Sequence, residues 1–195
     1  MSDLKIACTS YEYGMDFKKS FGQEIDFFGY GNKVKDYDLI IFPGGEDVTP
    51  KLYGEKNTFS GCNYARDLFE LKILEEAITL NKKIIGICRG NQFINAMLGG
   101  KLNQHLFIKH KGVHEITIVK ENPIIDFYKD KLVTSTHHQA VLTPGIRFEV
   151  LAVHKQYGTI EATKCGNNIL TMQFHPEYQD VPEFFNRIKE WCKYV

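Results

Sequence analysis

The sequence lacks the features that mark several large classes of protein. Its 195 residues contain 24 basic and 24 acidic side chains, so the formal net charge is zero. A chain without an excess of positive charge offers no electrostatic basis for binding nucleic acid or an anionic membrane. The apolar runs are much shorter than a membrane span, and the first ten residues (MSDLKIACTS) lack the apolar core of a signal peptide. We therefore expect a cytoplasmic protein.

Cysteine is present in an odd number and without closely spaced pairs, which argues against a disulfide scaffold and against a zinc site. The five cysteines are Cys8, Cys62, Cys88, Cys165 and Cys192. The adjacent His137 and His138 would face opposite sides of a strand, so they do not indicate a metal site either. We expect neither a metal nor an organic cofactor.

Apolar segments with alternating strand and helix periodicity define the predicted fold. In the first half, strands are predicted over residues 4–8, 24–28, 38–42 and 83–87, and helices over about 65–80 and 91–98. In the second half, strands are predicted near 113–119, 132–136, 148–153, 158–163 and 168–174, and a last helix near 181–194. The pattern is typical of an α/β protein with a parallel sheet, helices on both faces and an added antiparallel portion. The length fits a single domain over residues 1–195.

Cys88 lies between the predicted strand 83–87 and the predicted helix 91–98, in the stretch KKIIGICRGNQ. Gly86 and Gly90 flank it at two-residue spacing, which is the pattern of the nucleophile elbow in G-x-S-x-G hydrolases. A thiol at a helix N-terminus is also favoured as the thiolate. A lone Cys at a strand end is more often a small core residue, but the flanking glycines favour a nucleophile.

His175 and Glu177 follow the predicted strand 168–174, in the stretch QFHPEY. Because side chains alternate along a strand, positions two residues apart can share one face. His175 can then accept the thiol proton of Cys88, and Glu177 can hold the imidazole in the useful tautomer. The three residues form a predicted triad for acyl transfer from a carboxamide or γ-glutamyl bond. A solvated His-Pro-Glu turn is the alternative interpretation.

A Pro-Gly-Gly turn follows the predicted strand 38–42 and can present backbone N–H groups to a developing oxyanion. The amides of Gly45 and Arg89 are the candidates for this oxyanion hole. An ordinary strand-ending turn is the commoner meaning of such glycines. All three motifs follow strands, and open α/β sheets bind ligands at the carboxyl ends of their strands.

The segments FPGG, GICRGNQ and QFHPE, in this order, resemble those of the class I glutamine amidotransferase-like superfamily over roughly residues 38–178. Within it, PGGEDVTPKLYGE, NYARDLFELKILEEAI and STHHQAV resemble the γ-glutamyl hydrolase branch, which is peptidase C26-like and includes γ-glutamyl-γ-aminobutyrate hydrolases. The resemblance implies a three-layer, flavodoxin-like, mostly parallel open sheet with a small antiparallel portion. It also implies that Cys88 is the nucleophile, His175 the base and Glu177 its orienting partner.

The same resemblance implies a set of substrate-binding residues. Gln92, four residues after the nucleophile, would help to hold the amino-acid end of a glutamyl group. The stretch from Ser135 to His138 would line the same pocket. The implied substrate-binding residues are Gly44, Gln92, Ser135, Thr136, His137 and His138. About forty residues precede the Pro-Gly-Gly turn, fewer than is usual in the hydrolase branch, and that region commonly shapes the leaving-group side.

Three functional interpretations follow. The first is a stand-alone hydrolase that cleaves a γ-glutamyl conjugate of an amine, an amino acid or a nucleotide-linked amidate through a γ-glutamyl thioester. The second is a glutaminase subunit that delivers ammonia to a separate synthase partner. The third is a non-catalytic binding module, which the presence of all three triad residues disfavours. The sequence leaves open whether the chain forms a homodimer.

Overall fold

The structure is a computed structural model that describes residues 4–29, 31–107 and 110–193. The α-helices in these residues are α1 Met15–Phe21, α2 Tyr64–Thr79, α3 Arg89–Met97 and α4 Pro182–Lys193. The strands are β1 Ile6–Cys8, β2 Asp26–Phe27, β3 Leu39–Phe42, β4 Lys83–Ile87, β5 Lys101–Asn103, β6 His110–Ile118, β7 Leu132–His137, β8 Ala140–Thr143, β9 Phe148–His154, β10 Ile160–Cys165 and β11 Ile169–Met172.

Nine of these strands form one sheet in the order β2-β1-β3-β4-β11-β10-β9-β6-β7. The strands from β2 to β11 pair in parallel, and the pairings from β11 to β7 are antiparallel. The central strand β3 (LIIF) is fully buried, as expected for a parallel strand covered on both faces. The predicted α/β class and open sheet are confirmed. The antiparallel portion consists of four strands added beside β11.

Successive side chains of the central strands point to opposite faces of the sheet, and each face has its own hydrophobic core. Leu39 and Ile41 of β3 pack on one face with aromatic side chains of α1 and α4, including Phe17 and Phe184. Ile40 and Phe42 pack on the other face with side chains of α2 and α3. The result is a three-layer arrangement with helices on both faces of the sheet. No helix in the described ranges is long and apolar enough to cross a membrane.

The structure differs from the sequence prediction at several short elements. Helix α1 and the small antiparallel sheet of β5 and β8 were not predicted, since each contains too few residues to give a clear period. Helix α3 begins at Arg89 rather than at residue 91. Its first turn contains Arg89, Gly90 and Asn91, which carry no apolar periodicity even though all three are buried.

Candidate active site

Cys88 occupies the turn between β4 and α3 with backbone angles of φ 51° and ψ −103°. A side-chain-bearing residue with positive φ is strained, and the surrounding packing must hold it in place. The flanking glycines make that packing possible. A Cβ atom on Gly90 would lie 1.9 Å from the carbonyl oxygen of Phe42, and one on Gly86 would lie 2.7 Å from the carbonyl oxygen of Gly90. The elbow predicted from the sequence is therefore present in its geometry.

His175 and Glu177 contact each other directly after β11. The Nδ1 atom of His175 lies 2.6 Å from Oε1 of Glu177. The imidazole also stacks on the Tyr178 ring, with centroids 4.5 Å apart and an interplanar angle of 6°. An ionised carboxylate only accepts hydrogen bonds, so Nδ1 of His175 must carry the proton that it donates to Glu177. The other ring nitrogen, Nε2, is then available to exchange a proton with the thiol or a substrate.

The reason for this contact differs from the predicted one. Strand β11 ends at Met172, and residues 176–178 form a single 3₁₀ turn for which His175 is the N-cap. The turn, rather than strand alternation, brings Glu177 back to the imidazole. The backbone N–H of His175 donates to the carbonyl oxygen of Thr134 at 2.8 Å, which fixes this turn against β7.

Gly44 lies against both the imidazole and the thiol-bearing residue. A Cβ atom on Gly44 would be 3.1 Å from Cε1 of His175 and 3.9 Å from Cβ of Cys88. The Nε2 atom of His175 is buried and has no hydrogen-bond partner of ordinary geometry in the described chain. Burial opposes the charged imidazolium, but the negative charge of Cys88 and that of Glu177 outweigh burial and raise the pKa of His175 to about 10. The imidazole of His175 therefore favours its protonated form.

The two predicted oxyanion donors are the backbone amides of Gly45 and Arg89. Gly45 has a φ of 133°, and a Cβ there would lie 2.1 Å from a guanidinium nitrogen of Arg66, so only glycine fits. Arg89 is the first residue of α3, where a backbone N–H has no acceptor within the helix. The Arg89 side chain points away from the thiol and pairs with the buried carboxylates of Asp67 and Glu70.

Gln92 is buried, and its side-chain amide is already used inside the protein. Its Nε2 atom donates to the carbonyl oxygen of Gln139 at 2.9 Å and to Oε1 of Gln173 at 3.2 Å. The N–H of Gln92 also bonds to the Cys88 carbonyl. Gln92 thus links the nucleophile turn to the segment after β7. Its predicted contact with a glutamyl group stays a prediction.

The predicted pocket stretch Ser135–His138 does not present one uniform wall. Ser135 and His137 are buried, whereas Thr136 between them is exposed. The hydroxyl of Ser135 lies 3.0 Å from Nε2 of His114, and Nδ1 of His137 lies 2.8 Å from the carbonyl oxygen of Gln139. Thr136 therefore faces the opposite side of β7 from Ser135 and His137, and those two buried side chains have different partners.

His138 has a different environment. Its Nε2 atom lies 3.0 Å from Oδ2 of Asp47, which comes three residues after Gly44. The end of β7 is therefore tied to the glycine turn after β3. Through this contact His138 lies at the rim of the candidate site, and its predicted role in substrate binding stays a prediction.

A buried ionic network behind the site was not assigned a role from the sequence. It joins the start of α2 to the glycine turn and to the nucleophile turn. Its members are Thr9, Glu46, Arg66, Asp67, Glu70 and Arg89. The signal in the sequence was the stretch Arg66, Asp67 and Glu70, whose side chains fall on adjacent positions of one helix turn. Asp67 and Glu70 are completely buried, and each pairs with the guanidinium of Arg89.

Within the described residues, no group of three or more His, Cys, Asp or Glu side chains is arranged to hold a metal ion. The chemistry available at this site is that of a thiol, an imidazole, a carboxylate and backbone amides. This set can perform nucleophilic acyl transfer.

The chain is similar to known proteins over most of its length. The family model for peptidase C26 matches residues 29–177. The glutamine amidotransferase-like protein YvdE of Lactococcus lactis subsp. lactis is 34% identical over 174 residues, which cover 79% of this chain and 73% of that protein. One subunit of the glutamine-hydrolysing GMP synthase of Sulfolobus acidocaldarius is 25% identical over 162 residues, which cover 83% of this chain and 78% of that protein.

The fold is also found in solved structures. A glutamine amidotransferase from Thermotoga maritima superimposes with a TM-score of 0.73, covering 97% of this chain and 86% of that chain at 16% identity. This likeness confirms the class I glutamine amidotransferase-like fold expected from the sequence.

Proposed function

We propose, from the premise that this chain belongs to the peptidase C26 family of amide-hydrolysing enzymes, that it is a cysteine-dependent hydrolase of γ-glutamyl amides. The observation that carries the proposal is the placement of Cys88, at a strained turn on the N-terminus of α3, beside an imidazole oriented by Glu177. A cysteine that only packs in the core can do so with an ordinary backbone conformation. It also does not require a glycine such as Gly44 beside a neighbouring imidazole.

In the first half of the reaction, the Cys88 thiolate attacks the γ-carbonyl carbon of the substrate. The electron pair of the C=O bond moves to the oxygen, where the amides of Gly45 and Arg89 stabilise the negative charge. His175 carries the thiol proton and donates it to the leaving nitrogen as the C–N bond breaks. The products of this step are the free amine and a γ-glutamyl thioester on Cys88.

In the second half, water attacks the carbonyl carbon of the thioester. His175 removes a proton from that water, and the same two amides hold the second oxyanion. The C–S bond then breaks, glutamate leaves, and His175 and Cys88 again share one proton. All groups in this cycle come from the protein, the substrate and water.

The substrate has two halves that the site treats differently. Gly44, Gln92 and the stretch Ser135–His138 are the proposed contacts of the glutamyl group. The leaving half is an amine, an amino acid or a nucleotide-linked amidate. The carbonyl oxygen of Gly44 already accepts a hydrogen bond from Arg66. We propose that Gly44 helps substrate binding because it has no side chain, which leaves space beside Cys88 and His175.

The test is release of glutamate by the purified chain from glutamine and from a panel of γ-glutamyl conjugates of these three classes. We expect rapid release from one conjugate class and complete loss of turnover in Cys88→Ala. Cys165→Ala is the matched control, because Cys165 is a free cysteine at the far end of β10 and should leave turnover unchanged. Full activity of Cys88→Ala would contradict the mechanism.

The alternative function is that of a glutaminase subunit that passes ammonia to a separate synthase. The similarity to the GMP synthase subunit of Sulfolobus acidocaldarius favours it. In that case the purified chain would release glutamate slowly, from glutamine alone, and would co-purify with a larger protein. Rapid hydrolysis of a conjugate by the chain alone would exclude this alternative.

A further inference from the structure

We propose that Arg66 is a positioning residue that aims one donor of the oxyanion hole, and that Glu70 couples it to the second donor. This inference rests on the proposed function. The segment concerned is the oxyanion loop, residues 43–47, which joins β3 to the loops above the sheet. Arg66 itself lies in the first turn of α2.

All three nitrogens of the Arg66 guanidinium are engaged. One terminal nitrogen donates to the carbonyl oxygen of Gly44 at 2.8 Å, and the other lies 3.1 Å from Oε2 of Glu46. Nε donates to Oε1 of Glu70 at 3.0 Å. The group also lies over the ring of Tyr13, at 4.8 Å from its centroid. Because a guanidinium is planar and its donors have fixed directions, these contacts fix where the Gly44 carbonyl points.

The direction of the Gly44 carbonyl determines the direction of the Gly45 N–H. The two groups belong to one peptide unit, which is planar and trans, so they point in opposite directions. When Arg66 holds the carbonyl on the α2 side, the N–H must point away from α2. Gly44 lies against Cys88 and His175, so this N–H is directed into the space where the oxyanion would form.

A peptide between two glycines needs such a restraint. Glycine occupies positive and negative φ with similar ease, so this peptide unit can rotate at little conformational cost. Rotation would turn a carbonyl oxygen, rather than an N–H, toward the oxyanion. The absence of a side chain at Gly45 also allows the approach of Arg66, since a Cβ there would collide with it.

Glu70 connects this arrangement to the nucleophile turn. Its Oε1 atom accepts from Arg66 and also from the hydroxyl of Thr9 at 2.7 Å, while Oε2 pairs with the Arg89 side chain. Arg89 supplies the second proposed oxyanion amide and pairs in addition with Asp67. One buried carboxylate therefore contacts the side chains of both residues: Arg66, which holds the Gly44 carbonyl, and Arg89, whose backbone amide is the second proposed donor.

The test separates stabilisation of the oxyanion from reactivity of the thiol. Losing one donor of an oxyanion hole lowers kcat by about 10²–10³-fold, so we expect a decrease of about tenfold in Arg66→Lys and about a hundredfold in Arg66→Ala. KM should change much less. Lysine retains the charge but lacks the planar fork, so it should rescue activity only in part.

Two inhibitors report the same distinction. Glutarate semialdehyde adds the Cys88 S–H across its C=O bond and gives a hemithioacetal whose oxygen occupies the oxyanion position. Iodoacetamide alkylates the thiol with loss of iodide and makes no use of the oxyanion hole. We expect Arg66 variants to bind the aldehyde more weakly, by the same factor as the loss of kcat, while the rate of alkylation stays unchanged.

Further measurements exclude a general structural defect. Added guanidinium ion should restore part of the kcat of Arg66→Ala, and amide hydrogen exchange over residues 43–47 should be faster in that variant than in the wild type. Arg187→Lys is the matched control, because Arg187 is a half-exposed arginine on α4 whose partners are Glu183 and the carbonyl oxygen of Pro123. If Arg66→Ala fails to fold, Arg66→Lys provides the same measurements.

The inference is overturned if folded Arg66 variants keep wild-type kcat and aldehyde affinity. It is also overturned if KM rises alone, or if alkylation slows in parallel with turnover. Failure of the proposed function gives a different result, in which the wild type releases no glutamate from any substrate. Aldehyde affinity and hydrogen exchange would still measure the effect of Arg66 in that case.

Discussion

At the residue scale, the five cysteines of this chain have different environments and therefore different reactivities. Burial raises the pKa of Cys8 to about 12, and it raises the pKa of Cys192 to about 12 as well. These thiols are core residues. Cys88 is also buried, but it lies at a helix N-terminus beside an imidazole that is able to hold its proton. We expect the reactivity of Cys88 to follow from these neighbours rather than from burial.

The contribution of Glu177 to this arrangement can be measured with Glu177→Gln. The amide can turn its NH₂ group toward Nδ1 and select the wrong tautomer, so we expect kcat to fall by about 10²–10⁴-fold. Burial lowers the pKa of His175, whereas Cys88 and Glu177 raise it, so removing the Glu177 charge must lower that pKa. The basic limb of the kcat/KM profile should therefore move to lower pH.

The measurement is the pH dependence of kcat/KM for the wild type, Glu177→Gln and Glu183→Gln. Glu183 is an exposed carboxylate on α4 and serves as the control. A Glu177→Gln profile with the wild-type basic limb would contradict the assignment of Glu177 as the orienting partner of His175.

At the scale of secondary-structure elements, the close approach of β3, β4 and α3 sets the position of the thiol. Gly90 is the contact point between α3 and the end of β3, and Gly86 is the contact point between β4 and α3. The strained backbone of Cys88 persists because these elements leave it no alternative conformation. The packing of this strand–turn–helix unit thus restrains the backbone conformation of Cys88, the proposed nucleophile.

The substitution Gly90→Ala tests this restraint. The added Cβ would lie 1.9 Å from the carbonyl oxygen of Phe42, which is backbone and cannot rotate away. Overpacking of this kind costs about 1–3 kcal/mol, so we expect the free energy of unfolding to fall by that amount and kcat to fall with it. Urea denaturation and steady-state kinetics measure the two effects.

Gly61→Ala is the matched control for this experiment. A Cβ on Gly61 meets no atom within 4 Å, and the residue does not have positive φ. Its stability and turnover should equal those of the wild type. Equal stability of Gly90→Ala and Gly61→Ala would mean that α3 can move away from β3 without cost.

The elements that could be predicted from the sequence are those with a strong local pattern. Strand β4 lies within a run of apolar residues between polar ends, and α2 is sixteen residues long, so both were found close to their observed bounds. Helix α1 could not be found in this way, because it has seven residues and buries only Phe17 and Phe21. Short elements are stabilised by tertiary contacts that a local pattern does not contain.

In the candidate site too, local motifs could be predicted from the sequence, whereas contacts between distant residues could not. Two parts of the site are local motifs: Cys88 with its flanking glycines, and His175 with Glu177. Each spans only a few neighbouring residues, so it can be recognised in the sequence. The contact of Arg66 with Gly44 joins residues 22 positions apart, and that of Arg89 with Asp67 joins another pair at the same separation. No periodicity encodes such pairs. The exposed side chain of Thr136, and the hydrogen bonds of Gln92 inside the protein, also follow from tertiary packing.

At the scale of the whole molecule, the buried carboxyl group of Glu161 influences how stability depends on pH. Burial raises the pKa of Glu161 to about 8. A basic group close to it is His114, whose Nε2 lies 3.9 Å from a Glu161 oxygen. Burial also lowers the pKa of His114, so this imidazole is neutral at neutral pH and does not compensate the carboxylate.

The sign of the effect follows from proton binding. The folded protein keeps a proton on Glu161 between its ordinary pKa of 4.5 and a pKa of about 8, whereas the unfolded chain has lost it. The free energy of unfolding must therefore decrease as pH rises through this window. In Glu161→Gln this decrease should be smaller, because the glutamine amide does not titrate.

Urea midpoints of the wild type and Glu161→Gln, measured at about pH 5, 7 and 9, give the comparison. His175 contributes a decrease of its own as pH rises toward its folded pKa of about 10, and this part remains in both proteins. Glu183→Gln again serves as the exposed control. Identical pH dependence of wild type and Glu161→Gln would show that Glu161 is ionised in the folded state.

The pairing of β4 with β11 has a consequence for how the chain could be divided. The proposed nucleophile Cys88 follows β4 and the proposed base His175 follows β11. These strands are neighbours, with Ile87 opposite Met172 and the Cys88 N–H bonded to the Met172 carbonyl. Hydrogen bonds between strands, rather than the long connection through the antiparallel portion, keep the two residues together. A backbone cut in the exposed turn at residues 155–158 would place Cys88 and His175 on separate polypeptides that still share one sheet. We expect two fragments that reassemble through this sheet to bring Cys88 and His175 together again.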